Sequence, residues 1–160
     1  MGDCLMNKMI ISTLLLLSVF MYGISVEASD RKLEDEIIYE ILVDRYNNGD
    51  FSMDDEVDLE NPKAYQGGDL AGITKRLDNK KELGITMIVL SPIMKNTYHG
   101  FHGYWIEDFK EIDEQFGTFS DLEELIGEAH ARDMKVVLEF VTNYVAKDHE
   151  IATDPTYSDW

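Results

Sequence analysis

The sequence predicts an α/β fold built on a parallel sheet. Three observations carry that prediction: three short hydrophobic runs rich in β-branched residues, two intervening segments with helical spacing, and long loops after each run. The first run, Ile37-Ile38-Tyr39-Glu40-Ile41-Leu42-Val43, reads as a buried strand. Leu70, Ile73, Leu77 and Leu83 then recur at roughly helical intervals among charges, and Gly84 is a natural helix stop. Ile85 to Leu90 forms the second strand, ended by Ser91-Pro92. Ser120-Asp121-Leu122-Glu123 has the form of a capping box, and Leu122, Leu125, Ile126 and Ala129 make one apolar stripe behind it. Lys135 to Val141 is the third strand. Strand, helix, strand, helix, strand implies parallel pairing through right-handed crossovers. Ligand sites in such sheets collect beyond the C-terminal strand ends. The loops Asp44–Gly68, Ser91–Gly117 and Thr142 onward all lie there.

The chain has 160 residues, one domain's worth, with 44% hydrophobic and 29% charged residues and three prolines. Its 32 acidic residues against 14 basic give a formal net charge of −18. Nucleic-acid binding needs cations to displace phosphate counterions, so no nucleic-acid partner is expected. An anionic membrane surface would repel the chain as well. The single cysteine, Cys4, permits neither a disulfide framework nor a cysteine zinc site.

Residues 1–28 read as a secretory signal peptide. Lys8 precedes an apolar run from Met9 to Ile24, and Val26 and Ala28 supply small residues at the −3 and −1 positions. The run is shorter than the roughly 20 residues of a spanning helix. A retained anchor is the alternative. Cys4 precedes the run, so it is no lipoprotein cysteine, and Met6 rather than a hydroxyl residue breaks the myristoylation pattern. Cleavage after Ala28 would leave one cysteine-free domain over residues 29–160, secreted and without a membrane contact.

The three loops each offer a chemistry. The first gathers Asn47, Asn48, Asp50, Asp54, Asp55, Glu56, Asp58 and Asp69 with Gly49, Gly67 and Gly68. Hard oxygens on a glycine-permitted turn suit calcium. A solvated acidic loop is the other reading, and Asp44–Asp55 only approaches an EF-hand pattern because Tyr46 holds a ligand position. The second loop mixes Tyr98, Phe101, Tyr104, Trp105 and Phe109 with His99, His102 and Asp108. Sugar faces stack on such rings while polar edges take hydrogen bonds; a satellite hydrophobic cluster is the alternative. His99 and His102 could ligate a metal, but no third ligand is evident. Glu139 interrupts an apolar strand, so it either needs a donor partner or points out of the core as Glu40 would. No Ser/His/Asp triad can be assigned by spacing, and no phosphate loop is present. Composition alone does not single out a carboxylate pair for glycoside hydrolysis.

The segments IIYEILVDRYNNGD, YQGGDLAGI, LGITMIVLSPI, FHGYWIEDF, FGTFSDLEELIGEAHARDMKVVLEFVTN and KDHEIATDPTYSDW run in order from Ile37 to Trp160. Together they resemble the N-terminal part of a bacterial α-amylase-family glycoside hydrolase, of the neopullulanase and cyclodextrin-glucanotransferase-like kind. The resemblance implies a partial (β/α)8 TIM barrel, of which this chain holds the first three parallel strands and two helices. It implies an α-1,4-glucan oligosaccharide or polysaccharide (starch, maltodextrin, cyclodextrin) as substrate, cleaved or transferred with retention. It implies Ca2+ as cofactor, with Asn48, Asp50, Asp54, Gly67 and Asp69 at one site and Asn143 at another. Tyr104 falls on the aromatic platform under the sugar being cleaved, with His102 and Trp105 beside it.

Two positions depart from the family pattern. Glu139 stands where the family has an aspartate that braces the catalytic arginine, and Tyr144 stands where it has a substrate-binding histidine. The larger departure is length: a full barrel takes about 250 residues. The family's nucleophile, acid/base and third carboxylate follow its fourth, fifth and seventh strands. No catalytic residue is therefore assigned in this chain, and catalysis by the chain alone is not expected. A non-catalytic sugar- or calcium-binding remnant, or a poorly folding one, is the alternative.

Overall fold

The computed structural model describes residues 31–157. The expected signal peptide lies outside the described residues. Strand β1 (Ile38–Ile41) pairs in parallel with β2 (Met87–Leu90), which pairs in parallel with β5 (Lys135–Leu138). The order β1-β2-β5 puts Ile38, Met87 and Lys135 in one row and Ile41, Leu90 and Leu138 in another. The three hydrophobic runs are thus neighbouring parallel strands, as expected.

Alternation sorts the side chains. Tyr39, Ile41, Ile88, Leu90, Val136 and Leu138 point to the helical side and join the core. The other face carries Ile38, 53% exposed, and Val137, 39% exposed. That open face corresponds to the inside of a barrel. Core packing on the helical side is anchored by Phe116, Leu70, Ile73, Leu77 and Leu125, all essentially fully buried.

Two short helices replace the single expected one: α1 (Leu70–Thr74) and α2 (Leu77–Glu82). Arg76, with φ −109° and ψ 6°, breaks the helix between them. The break rotates the stripe, so Leu77 is buried while Leu83 is 63% exposed. Gly84 does end the second helix, at φ +82°.

Between β2 and the next helix, the sequence predicted only an aromatic loop. Instead β3 (Met94–Asn96) and β4 (Ile106–Ile112) form an antiparallel pair with register shifts on either side of Lys95. Helix α3 (Phe119–Ala131) follows and packs on α1 and β5, burying Leu122, Leu125 and Ala129 as the stripe required. Its cap differs from expectation. Thr118, not Ser120, accepts from the Asp121 N–H, and the Asp121 carboxylate accepts in return from the Thr118 N–H at 2.7 Å. A last short helix, α4 (Glu150–Thr153), is capped by His149.

Candidate functional site

The loops after β1, β2 and β5 meet at one end of the sheet. The first is stitched by carboxylates. Buried Asp44 accepts the Gln66 N–H at 2.9 Å and pairs with Arg45, whose guanidinium lies 3.9 Å over the Phe101 ring. Asp69 accepts the N–H groups of Gly49 and Asp50 at 2.8 and 2.7 Å through Oδ2, while Oδ1 caps α1 at the Gly72 N–H. Asp50 turns away to cap the 3-10 segment Phe51–Glu56, and hydrogen bonds from Ser52 hold its carboxyl below the usual range.

Asn48, Asp54 and Gly67 do converge. Asn48 Nδ2 donates to both Asp54 oxygens, at 2.9 and 2.8 Å. Gly67 sits at φ +86°, and a methyl group there would lie 2.5 Å from Asn48 Nδ2. That position needs glycine on both counts. Asn48 Oδ1 is buried without a hydrogen-bond partner. Of the five expected calcium residues, Asn48, Asp54 and Gly67 lie together, and the Asp50 and Asp69 carboxylates accept backbone N–H groups. Among the described residues, no three His, Cys, Asp or Glu side chains gather into a metal-holding group. Asn48 meets Asp54 through its amide nitrogen, while its own Oδ1 is a hard oxygen left buried and unsatisfied, which fits calcium chemistry.

The second loop holds the aromatic cluster. Gly103 links His102 to Tyr104 at φ +84°, and a methyl group there would lie 1.9 Å from the Pro92 carbonyl oxygen. This tight approach to the end of β2 lets His102 Nδ1 accept the Tyr104 N–H at 3.0 Å. The His102 ring stands edge-on to Trp105 at 4.6 Å and tilted to Tyr104 at 5.7 Å. Burial, and then the Arg45 charge, push the imidazole below its ordinary pKa. Trp105 is anchored through its N–H to Asn96 Oδ1 at 2.7 Å, yet it remains 48% exposed. Rigid, part-exposed rings of this kind offer stacking surface.

Tyr104 joins this cluster to the third strand. Its hydroxyl donates to Glu139 Oε2 at 2.7 Å. That hydrogen bond, with burial and the Glu139 charge, pushes the phenol up to about 12. Glu40 and Tyr144 act on it in the same direction, which places both residues nearby. Glu139 thus has the donor its strand position called for, whereas Glu40 is exposed to solvent.

Asn143 and Tyr144 are exposed and line a separate cavity of about 630 Å³ with Phe109, Phe140 and Ile151. No residue of the first loop lines it. His99 stands apart from the cluster's hydrogen bonds, at φ +61°, with its ring against Tyr98. The sequence reading missed Gly103 and the Tyr104–Glu139 pair. A glycine held between two aromatic site residues was a usable signal for the first; the second joins side chains 35 positions apart.

A parallel sheet with helices on one face, an open second face and site loops at the C-terminal strand ends defines the opening part of a (β/α)8 barrel enzyme domain. Residues 40–159 match the family model for the alpha-amylase catalytic domain, and the chain belongs to that family. It is 48% identical over 91 residues to an alpha-amylase of Streptomyces lividans, covering 51% of this chain and 10% of that protein. It is 34% identical over 142 residues to a cyclomaltodextrin glucanotransferase of Thermoanaerobacterium thermosulfurigenes, covering 78% of this chain and 20% of that protein. Among solved structures, an Anoxybacillus alpha-amylase superimposes with a TM-score of 0.78 at 53% identity, over 82% of this chain and 29% of that one. The alpha-amylase of Geobacillus thermoleovorans, complexed with acarbose, gives 0.75 at 53% identity, over 82% and 28%. The chain therefore spans a tenth to a fifth of the length of these curated relatives.

Proposed function

We propose that this chain supplies the glucan-holding floor of an α-amylase-type active site. The observation that carries this is the His102–Tyr104–Trp105 cluster, fixed at the C-terminal end of the sheet by Gly103 and Glu139. A glucose ring would stack on Tyr104, with Trp105 and His102 at its edge, while Tyr144 enters only by family resemblance. The partner is an α-1,4-glucan, as the names of the relatives support. No residue of the chain is assigned as nucleophile or acid/base, so the role derived is binding and orientation of the sugar.

Calcium belongs to the same proposal. Asn48 Oδ1, Asp54 and the Gly67 main chain would hold it, and the buried unpaired Asn48 oxygen is the reason. Asp50, Asp69 and Asn143 enter only by family resemblance. The ion would supply positive charge and crosslinking to the loop that starts after β1. Export by residues 1–28 is also part of this reading, supported by their apolar run and small residues before Ser29.

Titration with maltoheptaose of the full chain carrying Trp160→Phe, in which fluorescence reports Trp105 alone, tests the sugar site. Saturable quenching that disappears in Tyr104→Ala is expected. A flat titration at millimolar sugar, with the protein folded by circular dichroism, would overturn the assignment.

A further inference from the structure

We propose that Glu139 is a positioning residue for sugar binding, acting through the Tyr104 hydroxyl; the inference rests on the sugar-site reading above. Glu139 lies one residue beyond β5, and its own N–H donates to the Leu90 carbonyl at 3.0 Å. Its backbone is therefore held by the sheet. The side chain is half-buried, and a carboxylate removed from water needs a donor. Among the described residues its hydrogen-bond partner is the Tyr104 hydroxyl, at 2.7 Å.

Two consequences follow for Tyr104. The loop that carries it is tied to Asn96 through Trp105 and to Pro92 through the close approach of Gly103. Those contacts fix the backbone and leave the ring free to rotate about its own side-chain bonds. The bond to Glu139 removes that freedom and sets the ring plane before sugar arrives, which lowers the ordering cost of binding. The same bond commits the phenol proton. The Tyr104 oxygen can then only accept, so it favours a sugar hydroxyl that donates. Glu139 thereby acts on both the orientation and the polarity of the platform without touching the sugar.

The test uses the full chain, Glu139→Gln, Tyr104→Phe and the double variant, with two readouts. The first is the near-ultraviolet difference spectrum of each pair with and without the Tyr104 hydroxyl, taken without sugar. A phenol donating to a carboxylate absorbs at longer wavelength than one donating to an amide or to water. We expect the Tyr104 band to move to shorter wavelength in Glu139→Gln. The second is maltoheptaose affinity from Trp105 quenching. Glu139→Gln should bind roughly tenfold more weakly, the scale of one charge-assisted hydrogen bond. In the Tyr104→Phe background the same change should have no further effect, because its route is gone. Wild-type binding that Glu139→Gln leaves unchanged, or a loss that repeats in full in the Tyr104→Phe background, overturns the proposal and leaves the sugar site standing. Absence of quenching in the wild type removes the sugar site and this inference together.

Discussion

The carboxylate of Asp69 accepts the backbone N–H of Gly49 at 2.8 Å, across 20 residues of sequence. The same oxygen takes the Asp50 N–H, and the other oxygen caps α1 (Leu70–Thr74). One buried side chain thus holds both ends of the first loop. Asp69→Ala removes the helix cap and leaves two loop N–H groups without their acceptor. The expected cost is about 2–4 kcal/mol, from one cap and the loss of charge-assisted bonds at a buried site. Urea denaturation in chelator measures it apart from any metal effect. Asp69→Asn keeps one acceptor oxygen and should fall between wild type and Asp69→Ala.

Calcium should stabilise the chain through Asn48. A ligand that binds only the folded state adds RT ln(1 + [L]/Kd), about 2.7 kcal/mol at a hundredfold excess over Kd. Thermal melting with calcium against chelator should therefore show a rise in Tm. Asn48→Leu removes the unpaired buried oxygen and should abolish the rise while leaving the melt in chelator cooperative. An equal rise in both proteins would place the ion elsewhere.

Sugar binding should fail on acidification through His102. Burial and Arg45 set its folded pKa below the ordinary value. The neutral form is therefore favoured in the folded state, and its contribution is complete above the unfolded value of about 6.5. It is lost as pH falls through the lower, folded value. Protonation converts Nδ1 from acceptor to donor, which breaks its bond from the Tyr104 N–H. Maltoheptaose affinity should be level from pH 8 to about 6.5 and fall below that. His102→Gln should flatten the fall.

The sheet was legible because its strands are short and mostly apolar: β2 is Met87-Ile88-Val89-Leu90 without a polar residue, and Ile88 and Leu90 are fully buried. Leu83 was misplaced because periodicity assumes one unbroken helix, and Arg76 breaks it. The β3–β4 pair was missed for a different reason. Ile106-Glu107-Asp108-Phe109-Lys110-Glu111-Ile112 is mostly charged and half solvated, so it shows no clear two-residue period. In the site, Tyr104 and Glu139 were each conspicuous, yet their pairing depends on two loops meeting in space. The calcium loop was legible as a set of oxygen-bearing residues. Which oxygens remain free depends on backbone donors that composition does not reveal.

The cap of α3 (Phe119–Ala131) shows how two nearly equivalent sequence signals are separated. Ser120 with Glu123 and Thr118 with Asp121 both have capping-box spacing. Thr118 prevails because its backbone is extended, at φ −116° and ψ 171°, while Ser120 is already inside the helix. Thr118→Ala should cost about 1 kcal/mol, the usual scale for a lost cap. Ser120→Ala should change stability by less than about 0.5 kcal/mol. Chemical denaturation of the two variants side by side decides between the boxes.

Gly103 gives the sharpest steric prediction. Alanine there places its methyl group 1.9 Å from the Pro92 carbonyl oxygen, and φ +84° is strained for any L side chain. Pro92 stands two residues beyond β2 and cannot retreat without disturbing the sheet end, so the His102–Tyr104 turn must shift instead. The shift opens the 3.0 Å bond from the Tyr104 N–H to His102 and draws the phenol away from Glu139. The sheet and helices do not depend on this turn. Gly103→Ala should therefore keep its far-ultraviolet circular dichroism and a cooperative melt, lowered by about 1–3 kcal/mol. Its Tyr104 absorption band should move to shorter wavelength, and maltoheptaose should no longer quench Trp105. Unchanged quenching in this variant would show that the turn does not position the platform.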